Sequence, residues 1–141
     1  MKIMAVDLGK ARTGLAVCDV GEMLASPLTV LPSYNRDKLL GDIADITKEH
    51  KIDLLVVGLP LNMDGSRGES AENALAFAEE LRQRTGLPVE MKDERGTTIT
   101  AHNYLNKTDP RGKKRKAVVD AVAATIILQD YLDYRKNQKK T

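Results

Sequence analysis

Apolar positions up to Leu31 fall in short runs, and from Lys38 on stretches at helical spacing alternate with further short runs. Ile3–Val6 is a buried-strand pattern that ends in Asp7 and a turn at Gly9. Thr13–Val20 holds a second apolar run, and Met23–Leu31 holds a third with Pro27 inside it. Proline has no N–H to give to a ladder, so the third strand belongs at a sheet edge or a bulge. Three strands joined by short turns predict an antiparallel meander. From Lys38 to His50 the period changes from 2 to 3.6, with Leu39, Leu40, Ile43 and Ile46 on one helical face. Leu54–Leu59, between Asp53 and Pro60, is the continuous run of a strand covered on both faces.

A loop, PLNMDGSRG, follows, and Ser66 with Glu69 three residues later has capping-box spacing. The helix it opens extends to Thr85, where Gly86 and Pro88 stop it. Val89–Met91 is a short fifth strand running into Asp93, Glu94 and Arg95. Thr97–Leu105 reads as a short helix, Lys107–Lys116 as a basic loop, and Ala117–Leu132 as the most apolar helix. The order βββαβαβα, with one extra short helix, predicts an α/β fold. Its centre is a five-stranded mixed sheet, an antiparallel meander plus two parallel strands, flanked by helices. One domain spans residues 1–134, and residues 135–141 form a basic tail. Ligands of such open sheets sit outside the carboxyl ends of the parallel strands, which is where the chemistry is sought.

Composition narrows the class. A chain of 141 residues and 15.5 kDa, 42% hydrophobic and 30% charged, fits one globular domain with a real core. Aromatics are only 4%, which argues against stacking platforms for single-stranded bases. The net charge of +2 is a cancellation: Lys107–Lys116 carries +5 and Arg135–Thr141 carries +4, leaving −7 elsewhere. An acidic body with basic segments suits a polyanionic partner. Cys18 is the only cysteine, which excludes an intramolecular disulfide and a cysteine-built metal site. It reads as a small buried hydrophobe in a reducing compartment. The longest stretch without Asp, Glu, Lys or Arg is Met23–Asn35, 13 residues, against about 20 for a membrane helix. A cytoplasmic protein without a membrane partner is expected.

Candidate chemistry lies in the acids: Asp7 after the first strand, Asp93 and Glu94 after the fifth, and Asp120 within AVVDAVAATIIL. A carboxylate among Ala, Val and Ile needs a partner such as a cation, a metal or the helix N-terminus. Carboxylates converging on one point repel each other, so their meeting demands a bound cation. Oxygen-only ligands without a Cys or His cluster select Mg²⁺ or Mn²⁺. His50 lies at a helix C-terminus, where a cap or surface role is the default, and His102 has no second histidine near it in sequence. Two carboxylate-bound divalent ions can activate a water and stabilise the leaving oxygen of a phosphodiester, and the basic loop beside them would hold a nucleic-acid backbone.

Four motifs carry a resemblance: DLGKARTG (Asp7–Gly14), VVGLPLNMDGS (Val56–Ser66), DERGTT (Asp93–Thr98) and VVDAVAATIILQDYL (Val118–Leu132). Together and in order, they resemble the YqgF/RuvX family of bacterial ribonuclease H-like proteins, which are similar to Holliday junction resolvases. The resemblance implies a nuclease fold with a role in processing the 5′ end of precursor 16S ribosomal RNA, with four-way DNA junctions as the alternative substrate. With the acids and the basic loop, the expected activity is that of a metal-dependent endonuclease. It places Asp7 as the first-strand aspartate, Glu94 with Asp93 as the fifth-strand acids, and Asp120 as the last-helix aspartate. Asp7, Glu94 and Asp120 then form the metal set. The chain departs from the family at Gly96, where a bulky apolar residue is usual. In junction resolvases the second acid follows the fourth strand, where this chain has Gly58-Leu59-Pro60, so the fifth strand must supply it.

Expected nucleic-acid contacts are Arg12, in the turn beside Asp7, and Lys113, Lys114, Arg115 and Lys116 in the basic loop. The Asn62–Gly68 loop with a helix N-terminus at Ser66 is a further place for a phosphate. Expected partners are structured RNA or branched DNA, including a ribosome precursor, with monomer and homodimer both open. Two other classes compete. Nucleotide binding would use the Asp-x-Gly turn, but that fold needs two domains, and Leu15 stands where a phosphate-loop lysine belongs. A non-catalytic ribosome-assembly factor would keep salt-dependent RNA binding and lose nothing on Asp120→Asn.

Overall fold

The computed structural model of the chain describes residues 1–62, 64–94 and 112–139, and for 112–121 and 139 the backbone alone. The early apolar runs form β1 (Ile3–Leu8), β2 (Arg12–Cys18) and β3 (Ala25–Pro32), each antiparallel to the one before. β4 (Leu54–Leu59) lies parallel to β1, and β5 (Val89–Asp93) parallel to β4. The sheet order is β3-β2-β1-β4-β5. Pro27 sits where the patterning places it, on an edge strand. There the register slips as well, because Leu15 pairs with Thr29 while Ala16 pairs with Pro27, passing over Leu28.

Two layers of helix cover the sheet. α1 (Arg36–Glu49) and α2 (Glu69–Thr85) pack on one face, where Met4, Val6, Leu55 and Val57 meet Leu39, Ile43, Phe77 and Leu81. α3 (Gly112–Lys139) covers the other, where Ile3, Ala5, Leu54 and Val56 meet Ala124, Ile127, Leu128 and Tyr131. Strict alternation along β1 and β4 therefore assigns every residue to a face. Cys18 is buried on the α3 side and accepts a hydrogen bond from the Ile3 N–H at 3.2 Å. Burial raises its thiol pKa.

α3 runs opposite to β1. Its second half is tied to the amino end of the meander: Gln129 Oε1 accepts from the Ala25 N–H at 2.9 Å, and Arg135 Nε donates to Glu22 at 2.8 Å. Its first half therefore points to the carboxyl ends of β1 and β4.

Three boundaries differ from the pattern reading. Strand β2 stops at Cys18 because the Asp19 carboxylate accepts the N–H groups of Met23 and Leu24, at 2.8 and 3.0 Å, and turns the chain. α2 begins at Glu69 with Gly68 as its N-cap, a residue with no side chain to cap it. Ser66 instead closes its own loop, donating from its hydroxyl to Asp64 at 2.6 Å and accepting from Asn62 at 2.9 Å. The segment expected as a basic loop is helical from Gly112 on, and the expected tail continues the same helix to Lys139. Lys and Arg are good helix formers, and no Gly or Pro interrupts residues 113–139. The expected helix at Thr97–Leu105, with His102, Gly96 and Arg95, lies outside the described residues.

Candidate active site

Asp7 lies near the end of β1 on the α3 side, since Ile3 and Ala5 precede it there. Across the antiparallel ladder it faces Gly14. The turn beyond it is tight: a Cβ at Gly9 would collide with the carbonyl oxygen of Arg12. Arg12 opens β2 itself, and by alternation it shares the face of Gly14 and Asp7.

Glu94 follows β5. Its N–H donates to the Leu59 carbonyl at 3.1 Å, which carries the parallel ladder one residue past Asp93. Extended backbone there turns the Glu94 side chain to the α3 side, where its carboxyl group donates a hydrogen bond to Asp7. Burial first, then the negative charge of Asp7, their hydrogen bond and the charge of Asp93 push the Glu94 pKa up to about 9. Two carboxyl groups in contact cannot both ionise without a compensating charge, so the pair holds one proton between them. Asp93 is exposed and acts on Glu94 through its charge.

These two carboxyls, brought together from opposite sides of β4 at the carboxyl edge of a β3-β2-β1-β4-β5 sheet, invite comparison with known proteins. A family model described as the Holliday junction resolvase RuvX matches residues 1–134. The chain belongs to the RuvX family. Curated relatives carry the name "Putative pre-16S rRNA nuclease". The one from Anaeromyxobacter sp. (strain Fw109-5) is 46% identical over 96% of this chain and 98% of its own length. The one from Chloroflexus aurantiacus is 41% identical over 96% of this chain and 88% of its own. Among solved structures, Thermus thermophilus RuvC is 15% identical with a TM-score of 0.58, covering 97% of each chain. Fowlpox virus resolvase, in complex with Holliday junction DNA, is 12% identical with a TM-score of 0.60, covering 96% of this chain and 99% of its own. At these identities the likeness is one of fold, the ribonuclease H-like fold.

The other expected site residues of this RuvX-family chain are distributed as follows. Asp120 lies in the first half of α3, two helical turns before Ile127 and so on the same stripe by position. Its side chain lies outside the described residues, as do those of Lys113, Lys114, Arg115 and Lys116 in the first turns of α3. Among the described residues no three His, Cys, Asp or Glu side chains gather closely enough to hold a metal. A cavity of about 540 Å³ opens nearby, lined by Gly9, Lys10, Glu69, Glu72 and Asn73. It lies off the acid pair. With Glu69 and Glu72 in the first turn of α2, that helix start is a poor phosphate receptor, contrary to the expectation for this loop. Among the described residues no helix is long and apolar enough to cross a membrane.

One residue of the site escapes the motif reading. Gly58 lies in β4 between the two acids, and sequence inspection registers it only as the absence of a fourth-strand carboxylate. The available signal is a glycine inside a run of β-branched and leucyl residues, which marks a close approach.

Proposed function

We propose that this RuvX-family chain is a divalent-metal-dependent endonuclease acting on RNA in the cytoplasm, and that its substrate is the 5′ end of precursor 16S rRNA. The observation that carries the catalytic reading is the Asp7–Glu94 pair. The relatives' shared name supports the substrate.

The donor set fits a hard cation. Asp7 and Glu94 offer carboxyl oxygens only, and they are pressed together in a way that a divalent charge would relieve. Asp120, carried toward this edge by α3, is the third ligand in this reading, and Mg²⁺ or Mn²⁺ is the ion. Such an ion stabilises charge on phosphodiester oxygens during hydrolysis. Asp7 is fixed by its ladder to β2, and Glu94 would hold the ion in its deprotonated form. Arg12 stands on the same sheet face as Asp7 to meet a phosphate. Lys113, Lys114, Arg115 and Lys116 hold the backbone in a salt-dependent, sequence-independent manner.

The test is incubation of a 5′-extended 16S rRNA fragment with the protein and Mg²⁺. Cleavage by the wild type and none by Asp7→Asn is expected, and equal cleavage by both would sink the assignment. A four-way DNA junction belongs in the same experiment. The family model's description favours that second reading, and preferential cutting of the junction would establish it over the first.

A further inference from the structure

Asp7 lies at the end of β1, Glu94 follows β5, and β4 runs between them. Neighbouring strands lie about 4.8 Å apart, so the two acids leave backbones separated by about 10 Å and can meet only above β4. The alternation in β4 decides which residue lies beneath that meeting point. Leu54 and Val56 pack toward α3, so the next position on this face is Gly58, which pairs with Lys92. A Cβ placed on Gly58 would stand 2.8 Å from Glu94 Cδ and 2.8 Å from Ile127 Cδ1, and it would press on Glu94 Oε2. Both neighbours are tips of side chains, so the backbone can survive the intrusion while the carboxyl group must move. At Gly41, by contrast, an added Cβ meets open space.

We propose that Gly58 is a positioning residue of the acid pair: its missing side chain is the gap through which the β5 carboxyl crosses the central strand to reach the carboxylate of β1. The functional half of this inference rests on Asp7 and Glu94 being the nuclease acids. The geometric half does not. The bland competitor is a glycine that only lets α3 approach the sheet, through Ile127. The two are separable, because Ile127→Val removes the Cδ1 atom but leaves Glu94 untouched.

The experiment compares wild type, Gly58→Ala, Gly58→Ala with Ile127→Val, and Gly41→Ala as the glycine control. The expected crystal structure of metal-free Gly58→Ala has the fold intact and the Asp7–Glu94 hydrogen bond broken. Cleavage of the precursor fragment should fall by about a hundredfold, as for a misplacement of about 1 Å. Adding Ile127→Val should recover thermal stability but not cleavage, and Gly41→Ala should cleave like wild type. Should Gly58→Ala not fold alone, the double variant carries the same structural test. An Asp7–Glu94 contact that persists in the Gly58→Ala crystal structure, or cleavage restored by Ile127→Val, would overturn the proposal. A wild type that leaves RNA and DNA uncut would refute the nuclease reading, and the crystal structure would still decide the role of Gly58.

Discussion

Replacing Glu94 by Gln should make the metal-free protein more stable at neutral pH. The side chain keeps its shape and can still donate a hydrogen bond to Asp7, but it no longer ionises in the unfolded chain. In the native protein the Glu94 pKa is pushed from 4.5 to about 9, mainly by burial and by Asp7. A carboxyl group whose pKa is raised on folding contributes fully below its unfolded value, and that contribution is lost as pH rises toward the folded one. At pH 7, about 2.5 above the unfolded value, the wild type carries a penalty of about 3 kcal/mol at roughly 1.4 kcal/mol per pH unit. For a chain of this size that is about 10 °C in Tm. Melting curves followed by circular dichroism in EDTA from pH 5 to 9 measure it directly. The wild type should fall progressively below Glu94→Gln as pH rises, and Mn²⁺ at pH 8 should raise the wild-type Tm far more than the variant's. Parallel Tm profiles for the two proteins across this range would refute the reasoning.

Other consequences are simpler to test. Gly41 lies inside α1 with open space at its Cβ position, so Gly41→Ala should add about 0.5–1 kcal/mol, read from the urea midpoint at constant m. Phe77 is fully buried between α2 and the sheet, and Phe77→Ala should remove about 3–5 kcal/mol in the same assay. Changing Lys113, Lys114, Arg115 and Lys116 to Gln should lower the slope of log affinity against log salt by about 3 for single-stranded RNA, measured by filter binding without divalent ions.

Much of the architecture is legible in local pattern where local pattern is what physics acts on. β4 is readable to both its ends because a strand covered on both faces has no polar position to blur it, and Pro27 announces an edge because its missing N–H admits few other places. The failures are equally physical. Ser66 has the spacing of a cap, but Asp64 and Asn62 satisfy it within the loop. Lys113–Lys116 reads as a solvated run by charge, yet its residues favour helix and extend α3 by more than a turn. The acids Asp7 and Glu94 stand out by their places at strand ends. Gly58 does not, because its importance comes from the strand order β1-β4-β5, a non-local fact that no window of sequence contains.

The proposed mechanism centres on a divalent cation that Asp7, Glu94 and Asp120 would hold together. A crystal structure of the protein soaked in Mn²⁺, with anomalous data, tests it most directly. The expected result is a Mn²⁺ peak about 2.0–2.3 Å from carboxylate oxygens of Asp7, Glu94 and Asp120. A soaked crystal without such a peak, the Asp7–Glu94 hydrogen bond intact and Asp120 out of reach, would contradict it.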